Sequence, residues 1–115
     1  SLKVGTSARA YNPITTLTDA ASITSDFAVG NNFLVTIGGN RTLAAPSNVV
    51  AGQSGSIYII QDGTGSRTLS YNTVFQFVSA AVPTLSTGAG DVDMLVYMAR
   101  SASTIDAVLL KNFDR

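Results

Sequence analysis

No stretch of this chain keeps a helical period. Apolar residues instead alternate with polar ones over short runs, and each run is stopped by Gly, Asn, Asp or Pro. Alternation with turn signals at roughly 8–12-residue spacing is the pattern of an all-β sandwich or barrel. About eight or nine short strands are expected, with the Ser/Thr content of 19–27 and the Gly30-Asn31-Asn32 turn arguing against a helix there. The expected architecture is an antiparallel, jelly-roll-like β-sandwich.

The strongest local signal lies between Gly55 and Asn72. Ile57, Tyr58, Ile59 and Ile60 suit a pleated surface. Asp62-Gly63-Thr64-Gly65 tolerates positive φ, and Arg67–Tyr71 alternates polar with apolar. This predicts a central hairpin. Asn32–Ile37 predicts a strand with Phe33, Val35 and Ile37 on one face. Gly38-Gly39-Asn40 should turn it into a return strand at Arg41–Ala45, ended by Pro46. Gly39-Asn40-Arg41-Thr42-Leu43 is echoed by Gly65-Ser66-Arg67-Thr68-Leu69. Further strands are expected at 14–18, 19–24 and 73–78. Ser79–Gly90 reads as a long loop pegged by Val82 and Leu85. Asp91–Ala99 and Thr104–Leu110 close the chain as a last hairpin. Residues 1–12 read as an arm or linker, and 13–115 as one domain.

That last hairpin is apolar on both faces. Val92, Met94, Val96, Ile105 and Leu109 are grouped on one face, and Leu95, Tyr97, Val108 and Leu110 on the other. Only 12% of the 115 residues are charged and seven Lys+Arg balance seven acidic residues, so the surface is poorly protected against association. These two features predict a homo-oligomer whose interface includes Leu95, Tyr97, Val108 and Leu110.

Composition also excludes chemistry. Cys, His and Glu are missing, which removes thiolate metal sites, the commonest general base and the Ser-His-Asp triad. No enzyme activity and no cofactor are expected. Asp62–Gly65 and Asp91/Asp93 fall short of a calcium loop. No basic stripe suggests nucleic-acid binding, and no apolar run approaches the roughly 20 residues of a membrane-spanning helix. The candidate ligand-binding residues are Arg41, Arg67, Asp62 and Tyr71. Guanidinium forks read carboxylates and phosphates, and tyrosine stacks on rings. The competing reading makes each arginine structural, holding Asp26, Asp62, Asp91 or loop carbonyls.

Leu17–Ile23, Gly39–Asn48, Gln61–Tyr71 and the closing Ala107–Asp114, in that order, resemble a recurrent C-terminal region of bacteriophage and prophage virion proteins, the tail fibres and tail spikes. The resemblance spans roughly Leu17 to Asp114. It implies a β-rich module of a virion appendage, commonly a homotrimer, in contact with other virion proteins; the first expectation is a module that displays loops to a host-surface glycan. The alternative is a purely structural oligomerisation, capsid-decoration or head-fibre module without ligand. The resemblance supplies no catalytic residues.

Overall fold

The computed structural model describes residues 3–4 and 10–115, the side chains from residue 10 onward. Much of the segment read as an arm, 1–2 and 5–9, lies outside the described residues. The strand Lys3–Val4 (β1) pairs antiparallel with Ala10–Tyr11 (β2). The body is mostly β and has two sheets, with no α-helix among the described residues. Its other strands are Ile14–Thr16 (β3), Ser22–Ile23 (β4), Asn32–Ile37 (β5), Arg41–Leu43 (β6), Ser54–Gln61 (β7), Leu69–Tyr71 (β8), Phe75–Phe77 (β9), Val92–Ser101 (β10) and Thr104–Phe113 (β11). A six-stranded sheet runs β3-β5-β7-β10-β11-β9, and a three-stranded sheet runs β4-β6-β8.

The pairing departs from the antiparallel expectation. β3, β5 and β7 run parallel, as do β4, β6 and β8. The chain therefore winds three times, laying one strand in the large sheet and the next in the small one on each pass. Neither Gly38-Gly39 nor Asp62–Gly65 closes a hairpin. Each turns a corner from one sheet to the other, so β5 and β6, or β7 and β8, never pair with each other. The physical reason is local. Asp62 Oδ1 accepts from the backbone N–H of Thr64 and Gly65, while Gly65 and Ser66 both take positive φ. The turn is thus closed on its own aspartate and leads the chain away. Within the six-stranded sheet only β7-β10-β11 is antiparallel, and β9 rejoins it parallel to β11.

The inward faces form rows across the strands. Phe33, Ile57, Leu95 and Leu109 stand in one row, and Gly55, Tyr97, Ala107 and Phe77 in another. They meet Ile23, Leu43 and Leu69 of the small sheet in one contiguous core. Phe33, Val35 and Ile37 share the buried face expected of them. Gly55 has a specific purpose in this packing. A Cβ there would lie 2.0 Å from the Asn31 carbonyl oxygen, the same oxygen that accepts a hydrogen bond from the Tyr97 hydroxyl.

The β10–β11 faces correct the grouping drawn from sequence. Leu95 pairs with Leu109 and Tyr97 with Ala107, whereas Val96 pairs with Val108 and Met94 with Leu110. Leu95 (0% exposed) and Tyr97 (2%) are core residues, while Val108 (48%) and Leu110 (42%) face outward beside Val96 (38%) and Met98 (48%). The four residues expected at one interface thus lie on opposite sides of the sheet. The reason is a β-bulge at Arg100: Ser101 pairs with Thr104 but Ala99 with Ile105, so the register slips by one residue beyond the turn and the two strands change phase. The long loop is pegged by Leu85, which is buried; Val82 is exposed. Hydrogen bonds do the rest: Ser86 N–H donates to Asp93, Gly88 N–H to Asp91 and Ser66 N–H to the Thr87 carbonyl.

Candidate functional site: a charged corner, an apolar face and an aromatic pocket

The corner between the two sheets gathers three of the four candidate ligand residues. Arg41 opens β6 just past Gly38-Gly39. Its Nε and Nη2 donate to Asp19 Oδ1 at 2.8 Å and Oδ2 at 3.0 Å, and Gly38 N–H donates to the same carboxylate at 3.0 Å. Gly39 leaves room for this fork, since a Cβ there would lie 2.6 Å from Arg41 Nη1. One winding later the device recurs. Arg67 Nε and Nη2 donate to Asp62 at 3.3 and 3.0 Å, alongside the Thr64 and Gly65 amides. The windings are tied directly: Thr68 N–H donates to Asn40 Oδ1, and Arg41 N–H to the Thr68 carbonyl.

Electrostatics follow this geometry. The Arg67 fork, the Gly65 amide and then the Thr64 amide hold the Asp62 carboxyl down to about 2 from its ordinary 3.8. Asp19 is lowered chiefly by its hydrogen bond from Arg41, and Arg41 is raised by the same bond. Asp62 acts on both members of the neighbouring pair, raising Asp19 and Arg41 alike. The four groups form one neutral ladder in which each guanidinium already has its carboxylate. Asp62 is among the partners expected for the arginines. Asp19 is not, although it sits in the quoted Leu17–Ile23 segment; only the winding brings it beside Arg41.

Tyr71, the fourth candidate, is not part of this ladder. Its ring packs edge-on against Phe77 (4.8 Å between centroids) and Phe75 (6.2 Å). Burial, and secondarily the charge of Asp93, push its phenol upward. Its hydroxyl is buried with no hydrogen-bond partner among the described residues. Tyr71 lines a pocket of about 240 Å³ together with Phe75, Phe77, Asn72, Thr73 and Gln76.

The outward face of the six-stranded sheet is the third feature. Leu34, Tyr58, Met94 and Leu110 form one cross-strand row, and Ser56, Val96 and Val108 belong to the next. A groove of about 570 Å³ runs over Val96, Met98 and Val108. At its edge Arg100 and Asp106 pair through two bonds of 2.9 and 2.6 Å.

The acids considered for calcium are engaged elsewhere. Asp91 accepts from Gly88 N–H and Arg115. Asp93, only 1% exposed, accepts from the Ser86 and Asn112 amides at 2.8 Å each. No group of three or more acidic side chains positioned to hold a metal ion exists among the described residues. Asp93 and the buried Gln61, which grips the Arg67 backbone and the Ser86 carbonyl, are structural residues that sequence reasoning missed. Their signal was a polar side chain at an inward position of an alternating strand.

No family model, curated protein or solved structure matches the chain in comparisons with known proteins.

Proposed function

We propose that this chain is a non-enzymatic module of a bacteriophage appendage, a tail fibre or spike, which assembles as a homo-oligomer and displays loops to a host-surface glycan. The observation that carries this reading is the outward face of the six-stranded sheet. Val96, Met98, Val108 and Leu110 are all more than one-third exposed there, on a chain with few charges to keep it apart. Contiguous apolar surface of this kind marks an interaction site. The charged side chains lining the groove over this face are Arg100 and Asp106, which neutralise each other, so a second copy of the same face suits it best. Closed assembly around an axis covers such a face on every copy. The trimer number and the virion setting come from the resemblance of the four ordered segments. Within this proposal the stacking unit is the parallel winding, not a jelly-roll-like sandwich.

A second reading, an oligomerisation or decoration module without ligand, is favoured by one observation: Arg41 and Arg67 are both engaged by aspartates. Adsorption of the fluorescently labelled chain to a panel of bacterial strains separates the two. Attachment predicts saturable binding to some strains. No binding to any strain, with the oligomer intact, supports the second reading.

A further inference from the structure

The neutral ladder and the apolar sheet face leave the pocket at the β8–β9 turn without a role. Its chemistry is distinctive. Tyr71, Phe75 and Phe77 give it aromatic walls, and Asn72, Thr73 and Gln76 give it polar ones, with no charged side chain in the lining. Each of the two amides is fixed in place through one of its ends. Asn72 Oδ1 accepts from Val74 N–H at 3.0 Å, and Gln76 Nε2 donates to the Thr73 carbonyl at 2.9 Å. Each amide therefore keeps its other end for a ligand: Asn72 Nδ2 as donor, Gln76 Oε1 as acceptor. The Thr73 hydroxyl can serve as either. A volume of about 240 Å³ is just below the roughly 300–1,000 Å³ of sites for drug-sized ligands, which is room for a single ring.

We propose that this pocket binds one neutral pyranose ring of a glycan. A sugar ring offers an apolar C–H face to aromatic walls and a rim of hydroxyls, each both donor and acceptor, to amide and hydroxyl groups. The lack of charge in the lining disfavours sialic acids, uronic acids and phosphorylated sugars, which would be desolvated without a counter-ion. The Asp19–Arg41–Asp62–Arg67 corner, by contrast, has its charges consumed. The assignment rests on the attachment reading above and locates it away from the arginines.

The test uses the full chain. Amide shifts are followed by NMR during titration with galactose, glucose and N-acetylglucosamine, and adsorption to the bacterial panel is measured for wild type, Gln76→Ala and Val82→Arg. Gln76 and Val82 are exposed, so both variants should fold, which their melting temperatures verify. The expected result is shifts clustered at 71–77 for at least one sugar. Gln76→Ala should weaken binding roughly three- to tenfold, the loss of one hydrogen bond. Val82→Arg, at the pocket rim, should abolish it. Shifts centred on Asp19, Arg41, Asp62 and Arg67, or none with any of the three sugars, overturn the assignment. Adsorption that survives both variants overturns the pocket and leaves the attachment reading standing. A wild-type chain that adsorbs to no strain overturns both.

Discussion

The two faces of the six-stranded sheet carry similar apolar residues and have opposite surroundings. On the inner face Phe33, Ile57, Leu95 and Tyr97 are buried in the core they share with the small sheet, with Phe27 stacked on Phe33 and Tyr97. On the outer face Val96, Met98, Val108 and Leu110 meet solvent. A sheet with one wet face ordinarily alternates apolar with polar. Here the outer face keeps an apolar strip at Val96, Met98, Val108 and Leu110 although no element of the chain covers it among the described residues. The three-stranded sheet has three short strands and one inner face, so it can cover only one side. The unsealed side is the face at which we propose that further copies assemble.

The largest effect should come from disturbing the sealed side at its tightest point. Gly55→Ala would push a methyl into the Asn31 carbonyl and crowd the Tyr97 hydroxyl, displacing backbone on both sides. The expected loss is about 3 kcal/mol or more, read by urea denaturation. A loss below 1 kcal/mol would mean that the inner face is far less rigid than its packing implies.

Truncation across the sheet sharpens the comparison. Leu95→Ala should cost about 2–5 kcal/mol, the range for a fully buried leucine. Val108→Ala, one position out of phase on the neighbouring strand, should change the stability of the folded monomer by no more than about 0.5 kcal/mol. Equal losses would erase the distinction between the faces.

The charged corner belongs to neither face, and acid isolates it. The Asp62 carboxyl is depressed to about 2 from 3.8, and Asp19 is lowered as well. A depressed carboxylate contributes stability above its unfolded value, and that contribution is lost as pH falls through the folded one. The melting temperature should therefore hold down to about pH 4 and fall between about pH 4 and pH 2. Asp62→Asn should lower it at neutral pH and flatten the acid limb. An unchanged acid limb would remove the ladder from the account of stability.

Much of this architecture could be read from sequence, and the failures have a common cause. The strands at 32–37 and 54–61 were legible because alternation is local, and so was the terminal hairpin. Where a strand goes next was not. Gly38-Gly39 and Asp62–Gly65 have hairpin chemistry, but turn residues specify a bend, not the partner of the strand that follows. The echo of Arg41-Thr42-Leu43 in Arg67-Thr68-Leu69 was a trace of the winding. It is imperfect, because Arg41 sits opposite Leu69, two residues out of register with its own copy. At the corner, Arg67–Asp62 was accessible as a short-range pair, whereas Asp19 reaches Arg41 only across a winding. Leu95 and Tyr97 were grouped with Val108 and Leu110 because alternation does not reveal the bulge at Arg100, which shifts the register by one residue just beyond the turn. Gln76, Asn72 and Thr73 gave no signal, being ordinary polar residues until the turn arrays them beside Tyr71 and Phe77.

The central claim, that the outer face is completed by other copies, is tested most directly by sedimentation equilibrium at micromolar concentration on wild type and on the Val96→Asp/Val108→Asp double variant. The account predicts a wild-type mass of three times the 11.9 kDa of one chain. It predicts that the variant, with charge placed on a face that must be desolvated, sediments as a folded 11.9 kDa monomer. A wild-type chain that sediments at the monomer mass, or a variant that still assembles, would contradict it.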